Sequence, residues 1–247
     1  MITPEDSWQF VFPMDSFRAS KNGFLVQIGQ NLFSTGGVAV DIRQNGIAVT
    51  GHIRYGPFTP IAYNIMGPFA FLPFMECNHA VHSLYHTLQG SILLNGRTVD
   101  FSDGRGYIEQ DWGKSFPKKY AWLQTNDFTQ ENTCLFVSIA TIPFMGCAFT
   151  GCICVLHFDQ REYRLATYLG VRIREWSQSS IVLAQGKYTL QISVQSSPGQ
   201  KLLAPGSGAL SRSIHESPCC RAHIVFYKGS TRLFDQTSVA ASFEYVE

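Results

Sequence analysis

The chain of 247 residues is 45% hydrophobic and only 15% charged, with a net charge of +1. An average soluble domain carries about 25% charged residues, so this chain is poor in charge and nothing steers it to nucleic acid or to an anionic membrane. No apolar run approaches the roughly 18–20 residues of a membrane span, and the N-terminal MITPEDSWQF has neither the basic region nor the apolar core of a secretory leader.

Helical periodicity is scarce, and short apolar or alternating runs recur between Gly, Pro and Asn. FLVQI (24–28), VAVDI (38–42) and IAVTGHIRY (47–55) predict the first strands. The segment 56–79, GPFTPIAYNIMGPFAFLPFMECNH, is too apolar for a solvated loop and predicts a lid or plug. Further strands are expected at 82–96, 104–113, 119–128, 134–142 and 149–158, and at 162–176 as two runs paired across Leu169-Gly170. Others follow at 180–194, 220–229, 231–236 and 239–246, while QSSPGQKLLAPGSGA (195–209) predicts a long surface loop. This is an all-β, antiparallel chain, and such meanders close into barrels or sandwiches. Barrels of eight to ten strands hold one apolar ligand. The length suits one large β domain or two smaller ones, and the expected division is 1–103 and 104–247.

The seven cysteines match no zinc spacing. Cys152 and Cys154 share one face of an apolar strand, and the set predicts buried free thiols of a reducing cytoplasm.

Residues 104–128, GRGYIEQDWGKSFPKKYAWLQTNDF, concentrate the chemistry. Alternation places Tyr107, Glu109 and Asp111 on one strand face, and Ile108, Gln110 and Trp112 on the other. The two carboxylates are then roughly 7 Å apart. Inside an apolar cavity they cannot both ionise cheaply, so one keeps its proton near neutral pH and becomes a donor. The next strand carries Tyr120, Trp122, Gln124, Asn126 and Phe128 on one face, which suits a pocket wall with rings for an apolar ligand and amides for its polar end. The competing reading is a solvated carboxylate pair balanced by Lys118 and Lys119. Elsewhere, MECNHAVHSLYH holds Glu76, His79, His82 and His86. The last two would lie about 13 Å apart on one face, too far to share a metal, and no metal site is expected. SRSIHESPCCRA offers His215, Glu216 and Arg221, in which a His–Glu pair either orients a base or satisfies itself. Ser207 lacks the surroundings of a nucleophile elbow.

The run GYIEQDWGKSFPKKYAWLQTNDF resembles the signature of the tocopherol cyclase family, in which Gly-Tyr-x-Glu-x-x-Trp-Gly precedes Phe-Pro and a Trp-x-Gln-x-Asn run. Tyr107, Glu109, Trp112, Gly113, Phe116, Pro117, Trp122, Gln124 and Asn126 fall on that pattern. The 56–79 segment, EYRLATYLG and SRSIHES are similar to bacterial members. In two respects the chain departs from the family: Asp111 stands where plant-type cyclases have Asn, and the opening Phe-Glu-Gly-Trp-Tyr strand is missing, as in a chain shortened at the edge of its first barrel.

The resemblance implies a tandem lipocalin-like β fold and closure of a chromanol ring on a prenylated hydroquinone, with no metal or redox cofactor. On that reading Glu109 donates the proton, Asp111 raises its pKa or orients it, and His215 assists. Tyr107, Trp112, Phe116, Trp122, Gln124, Asn126, Glu76, His79 and Arg221 line the substrate site. The partner is an apolar isoprenoid small molecule, with at most peripheral membrane contact. Lipocalin-like barrels are also carriers, so a non-catalytic binder of an isoprenoid or quinone competes with the enzyme, as does a terpenoid hydratase or isomerase.

Overall fold

The computed structural model describes residues 1–21, 23–72, 75–144, 146–195 and 199–247. Small parts of the expected 56–79 lid and 195–209 loop thus lie outside the described residues. The chain forms two antiparallel sheets. The first contains β1 (Phe17–Ala19), β2 (Leu25–Ile28), β3 (Asn31–Ser34), β4 (Gly37–Gln44), β5 (Ile47–Tyr55), β6 (Cys77–Leu94), β7 (Arg97–Asp100) and β8 (Arg105–Gly113). It runs as a meander from β1 to β7, and β8 returns along the N-terminal half of β6. The change of sheet falls between Gly113 and Tyr120.

The second sheet contains β9 (Tyr120–Thr125), β10 (Cys134–Phe144), β11 (Cys147–Phe158), β12 (Arg161–Ala166), β13 (Arg172–Trp176), β14 (Ser180–Gln185), β15 (Tyr188–Gln195), β16 (Gln200–Gly206), β17 (Ala209–Lys228) and β18 (Thr231–Val246). Its order is β12-β11-β10-β9-β18-β17-β15-β14-β13, with β16 on β17. The ladder is open, yet the Gln185 side chain spans its two ends. Its Oε1 accepts from Ala166 N at 3.0 Å and its Nε2 donates to Arg164 O at 3.0 Å. The amide thus satisfies backbone groups that an edge strand would leave unpaired.

Two strand expectations change. The 195–209 stretch contains a strand, β16, because its Gly/Pro/Ser composition tolerates an edge position and Pro205 sits at the register shift against β17. The runs at 162–176 do not pair with each other: a 3-10 turn at Thr167–Leu169 and Gly170 with φ +80° send β13 to the opposite end of the sheet from β12.

Alternate residues of the second sheet face inward and bury a core including Leu123, Leu135, Val137, Cys154, Leu183, Leu190, Ile224 and Phe226. Each such side chain contributes about 1.5–3 kcal/mol. The opposite face of β9–β11 packs on the first sheet through Val81, Leu84, Cys134, Phe136 and Val155. All seven cysteines are free thiols, with Cys152 and Cys154 buried on the inner face. Among the described residues, no helix is long and apolar enough to cross a membrane.

Candidate active site

A cavity of about 330 Å³ lies between the two sheets, against the outer face of the second. One wall comes from β6 and β8. Their register sets His79 opposite Asp111 and Val81 opposite Glu109, so His79 and both carboxylates line the same cavity. His79 Nδ1 is 2.7 Å from Asp111 Oδ1, and its Nε2 is 3.4 Å from Glu109 Oε2. The imidazole stacks on Phe136 with centroids 4.9 Å apart. Glu109 Oε2 also accepts from the Tyr107 hydroxyl at 2.6 Å and from Trp122 Nε1 at 3.2 Å.

Burial dominates the titration of Glu109 and raises its pKa, with Asp111 adding to the rise. His79, the Tyr107 hydroxyl and the Trp122 indole pull the other way without cancelling it. For His79, burial opposes protonation, but the Asp111 hydrogen bond and the charges of Glu109 and Asp111 outweigh it and raise the pKa. Burial, with Asp111 beside it, pushes the Cys77 thiol up to about 12, so this cavity-lining sulfur stays protonated.

The facing wall is a row across three strands. Trp122 of β9 pairs with Glu244 of β18, which pairs with Glu216 of β17. All three line the cavity, with Tyr120, Ser138, Ala140, Ile142 and Ile153 beside them. The Tyr120 hydroxyl donates to Glu244 Oε2 at 2.7 Å. Burial, reinforced by Glu216, Glu109 and Asp111, pushes Glu244 up to about 7, although the Tyr120 bond works against the rise. Burial also raises Glu216, again helped by the charge of Glu109.

Of the expected 56–79 lid, the described part before β6 packs beside the cavity, while Cys77–His79 belong to β6 and its wall. Met66, Phe69 and Met75 line the cavity, and Ile65 is wholly buried beneath. The rim of the second sheet ties the segment down. Arg164 donates to Asn64 O at 3.0 Å and Tyr63 O at 2.9 Å, and its guanidinium lies 3.5 Å from the Tyr63 ring centroid. Glu162 holds Arg164 at 2.7 Å and accepts from Ala62 N at 2.7 Å. The Tyr168 hydroxyl donates to Ile65 O at 2.9 Å.

Of the residues singled out in the sequence, Glu76, His79, Glu109, Asp111, Phe116 and Trp122 line the cavity, and Tyr107 reaches it through Glu109. Trp112 projects from the other face of β8 and is 47% exposed. Gln124 is not part of the lining, and Asn126 donates to Gly106 O at 3.0 Å. Strand β9 ends at Thr125, so alternation no longer governs Asn126 or Phe128, and Phe128 joins the inner core. His215 and Arg221 are exposed; the cavity takes Glu216, the neighbour of His215, because adjacent strand residues face opposite ways. His82 bonds Gln110 at 3.0 Å and His86 bonds Ser83 at 3.0 Å, separated by register shifts in β6 that break the alternation on which a common face depends. Glu244 escaped sequence reasoning altogether. Its only signal was a lone carboxylate inside the apolar run VAASFEYV.

His79, Glu109 and Asp111 offer ligand atoms within 4.8 Å of one another, the one group among the described residues with the spacing of a metal site. Their mutual contacts with Tyr107 and Trp122 account for that closeness equally well.

The model of the family described as tocopherol cyclase-like matches residues 34–245. No curated protein sequence matches the chain. Among solved structures, the chain is similar to the kievitone hydratase of Nectria haematococca, with a TM-score of 0.50 and 13% identity. The match covers 85% of this chain and 65% of the hydratase chain, so this chain spans a little under two thirds of that length. At that identity the likeness concerns the fold.

Proposed function

The chain belongs to the tocopherol cyclase-like family, and from that premise we propose that it closes an oxygen ring on a prenylated phenol or hydroquinone. The supporting observation is Glu109, a carboxyl whose pKa burial raises, at the wall of an apolar cavity. Glu109 delivers its proton to a trisubstituted alkene. A tertiary cation forms beside Trp122, Tyr120, Phe116 and Phe69, whose ring faces contribute about 2 kcal/mol or more for a desolvated contact. The phenol oxygen, held within reach by the enclosure, attacks the cation. The lid residues Met66, Phe69 and Met75 keep out water that would otherwise trap it. A volume of about 330 Å³ lies near the lower end of small-molecule sites, so the ring and the reacting isoprene unit fill it and a longer tail extends through the opening.

Glu109→Gln keeps the shape and removes the acid. The expected result is loss of ring product by a factor of about 10²–10⁴ with ligand quenching of tryptophan fluorescence retained. A wild-type protein that quenches but never forms product is a carrier. A second reading, hydration, is supported by the polar corner of Glu216 and Glu244, which offers a place for water, and fits the hydratase activity named for the similar structure. The two separate by mass, because ring closure leaves it unchanged and hydration adds one water.

A further inference from the structure

Glu216 and Glu244 face each other directly across neighbouring antiparallel strands, both turned into an apolar cavity. Like charges in that arrangement are destabilising, and burial multiplies the cost. Glu216–Glu244 is the terminal rung of the β17–β18 ladder, which runs on from Ser217–Phe243 to Lys228–Thr231, so neither glutamate side chain is needed to hold the two strands together. The pair therefore asks for a chemical reason.

Ring closure supplies one. Protonation of the alkene by Glu109 forms a C–H bond at the expense of the π bond. Attack by oxygen forms the C–O bond, and the phenol O–H bond must then break. The proton-donating group is spent, and an acceptor is required on the side of the cavity where the phenol lies.

We propose that Tyr120 and the cross-strand pair Glu216–Glu244 form the proton-accepting pole of the cavity, with Glu244 taking the proton that the attacking phenol oxygen loses. This rests on the ring-closing reading above. Trp122 separates the two poles: its indole nitrogen donates to Glu109, and its backbone pairs with Glu244. A substrate lying along the Trp122 face therefore has its alkene at the Glu109 end and its hydroxyl at the Glu244 end. Tyr120 orients the Glu244 carboxylate through a 2.7 Å hydrogen bond and leaves the second oxygen for the substrate. After closure Glu109 is a carboxylate and Glu244 carries a proton. Returning that proton through Glu216 or solvent restores both groups with no oxidant or reductant. The charged and titratable groups acting on the pole are Tyr120, Glu109 and Asp111 from the facing walls, Arg212 near Tyr120, and the Met1 ammonium near Glu216.

The test uses full-length protein and a geranyl-substituted hydroquinone, with kcat and KM measured from pH 5 to 9. Wild type should give a bell, rising as the acceptor deprotonates and falling as Glu109 does. Glu244→Gln should lower kcat about 100-fold, leave KM within about threefold, and remove the rising limb. Tyr120→Phe, which keeps the carboxylate but loses a bond that favours its charged form, should move the rising limb up by about one pH unit. A merely structural role would move neither limb, and unchanged kcat and profiles in both variants overturn the proposal. If wild type binds the probe and forms no ring product, the ring-closing reading falls and the acceptor falls with it. Ring formation in wild type with a normal Glu244→Gln enzyme overturns the acceptor alone.

Discussion

The Tyr107 hydroxyl donates to Glu109 Oε2 at 2.6 Å, from a position two residues away on the same strand face. The bond favours the carboxylate, while burial, the larger effect, favours the neutral acid. In the proposed mechanism Glu109 is thus a restrained acid, with burial favouring its proton and the tyrosine bond favouring release. Tyr107→Phe removes the restraint. The falling limb of the pH–activity profile, which the proposed mechanism assigns to loss of the Glu109 proton, should move upward by about one unit. A weaker acid also protonates the alkene more slowly, so kcat at low pH should fall. A limb that stays in place would show that another group controls it.

Glu244 makes the protein's stability depend on pH. Its pKa is about 7 in the fold against the 4.5 of an ordinary glutamate, so between those values the folded state binds more protons than the unfolded one. Stability should therefore fall as pH rises from about 4.5 to 7 and level off above. The full shift corresponds to roughly 3 kcal/mol, and Glu216 and Glu109 act in the same direction. Glu244→Gln should flatten much of this slope and raise the melting temperature at pH 8. Thermal unfolding of the variant and wild type from pH 5 to 8 measures it.

Arg164 fixes the lid to the rim of the second sheet, with its side chain only 4% exposed. Arg164→Met leaves Glu162 buried without its partner and frees two backbone carbonyls of the lid. A cost of about 3 kcal/mol is expected, with faster proteolysis between residues 61 and 72. Lysine cannot reproduce the forked contacts, so Arg164→Lys should recover little. Equilibrium urea unfolding and timed proteolysis check both.

Gly67 begins the 3-10 turn of the lid at φ +53°, and a Cβ there would stand 2.6–2.8 Å from the Tyr168 ring. Gly67→Ala combines an unfavourable backbone with a ring that must move, and Tyr168 holds Ile65. A loss of about 2 kcal/mol is expected. Under the proposed mechanism, a displaced lid should admit water and raise the share of water-trapped product, seen by chromatography and mass.

The Glu109 wall was legible because it depends on local rules. Alternation within Arg105–Gly113 puts Tyr107, Glu109 and Asp111 on one face whatever the sheet order, and the aromatic density of 56–79 demands burial of some kind. The facing wall was not legible. Glu216 and Glu244 share a wall with Trp122 only because β18 pairs with β9 and β17 with β18, which brings Trp122 beside residues more than 90 positions further along the chain. Residues near strand ends misled for the opposite reason. The motif run continues through Asn126, but the strand stops at Thr125, and beyond it spacing says nothing about direction. The position of the cavity also depended on long-range packing, since a curled sheet has two faces and only its fill decides which holds a ligand.

That division of faces gives β9, β10 and β11 two independent vocabularies. Val137 and Ile139 speak to the packed interior, while Ser138 and Ala140, interleaved with them, speak to the cavity. Substrate range can drift, or be engineered, by rewriting every second residue of a strand while the architecture that carries it stays untouched.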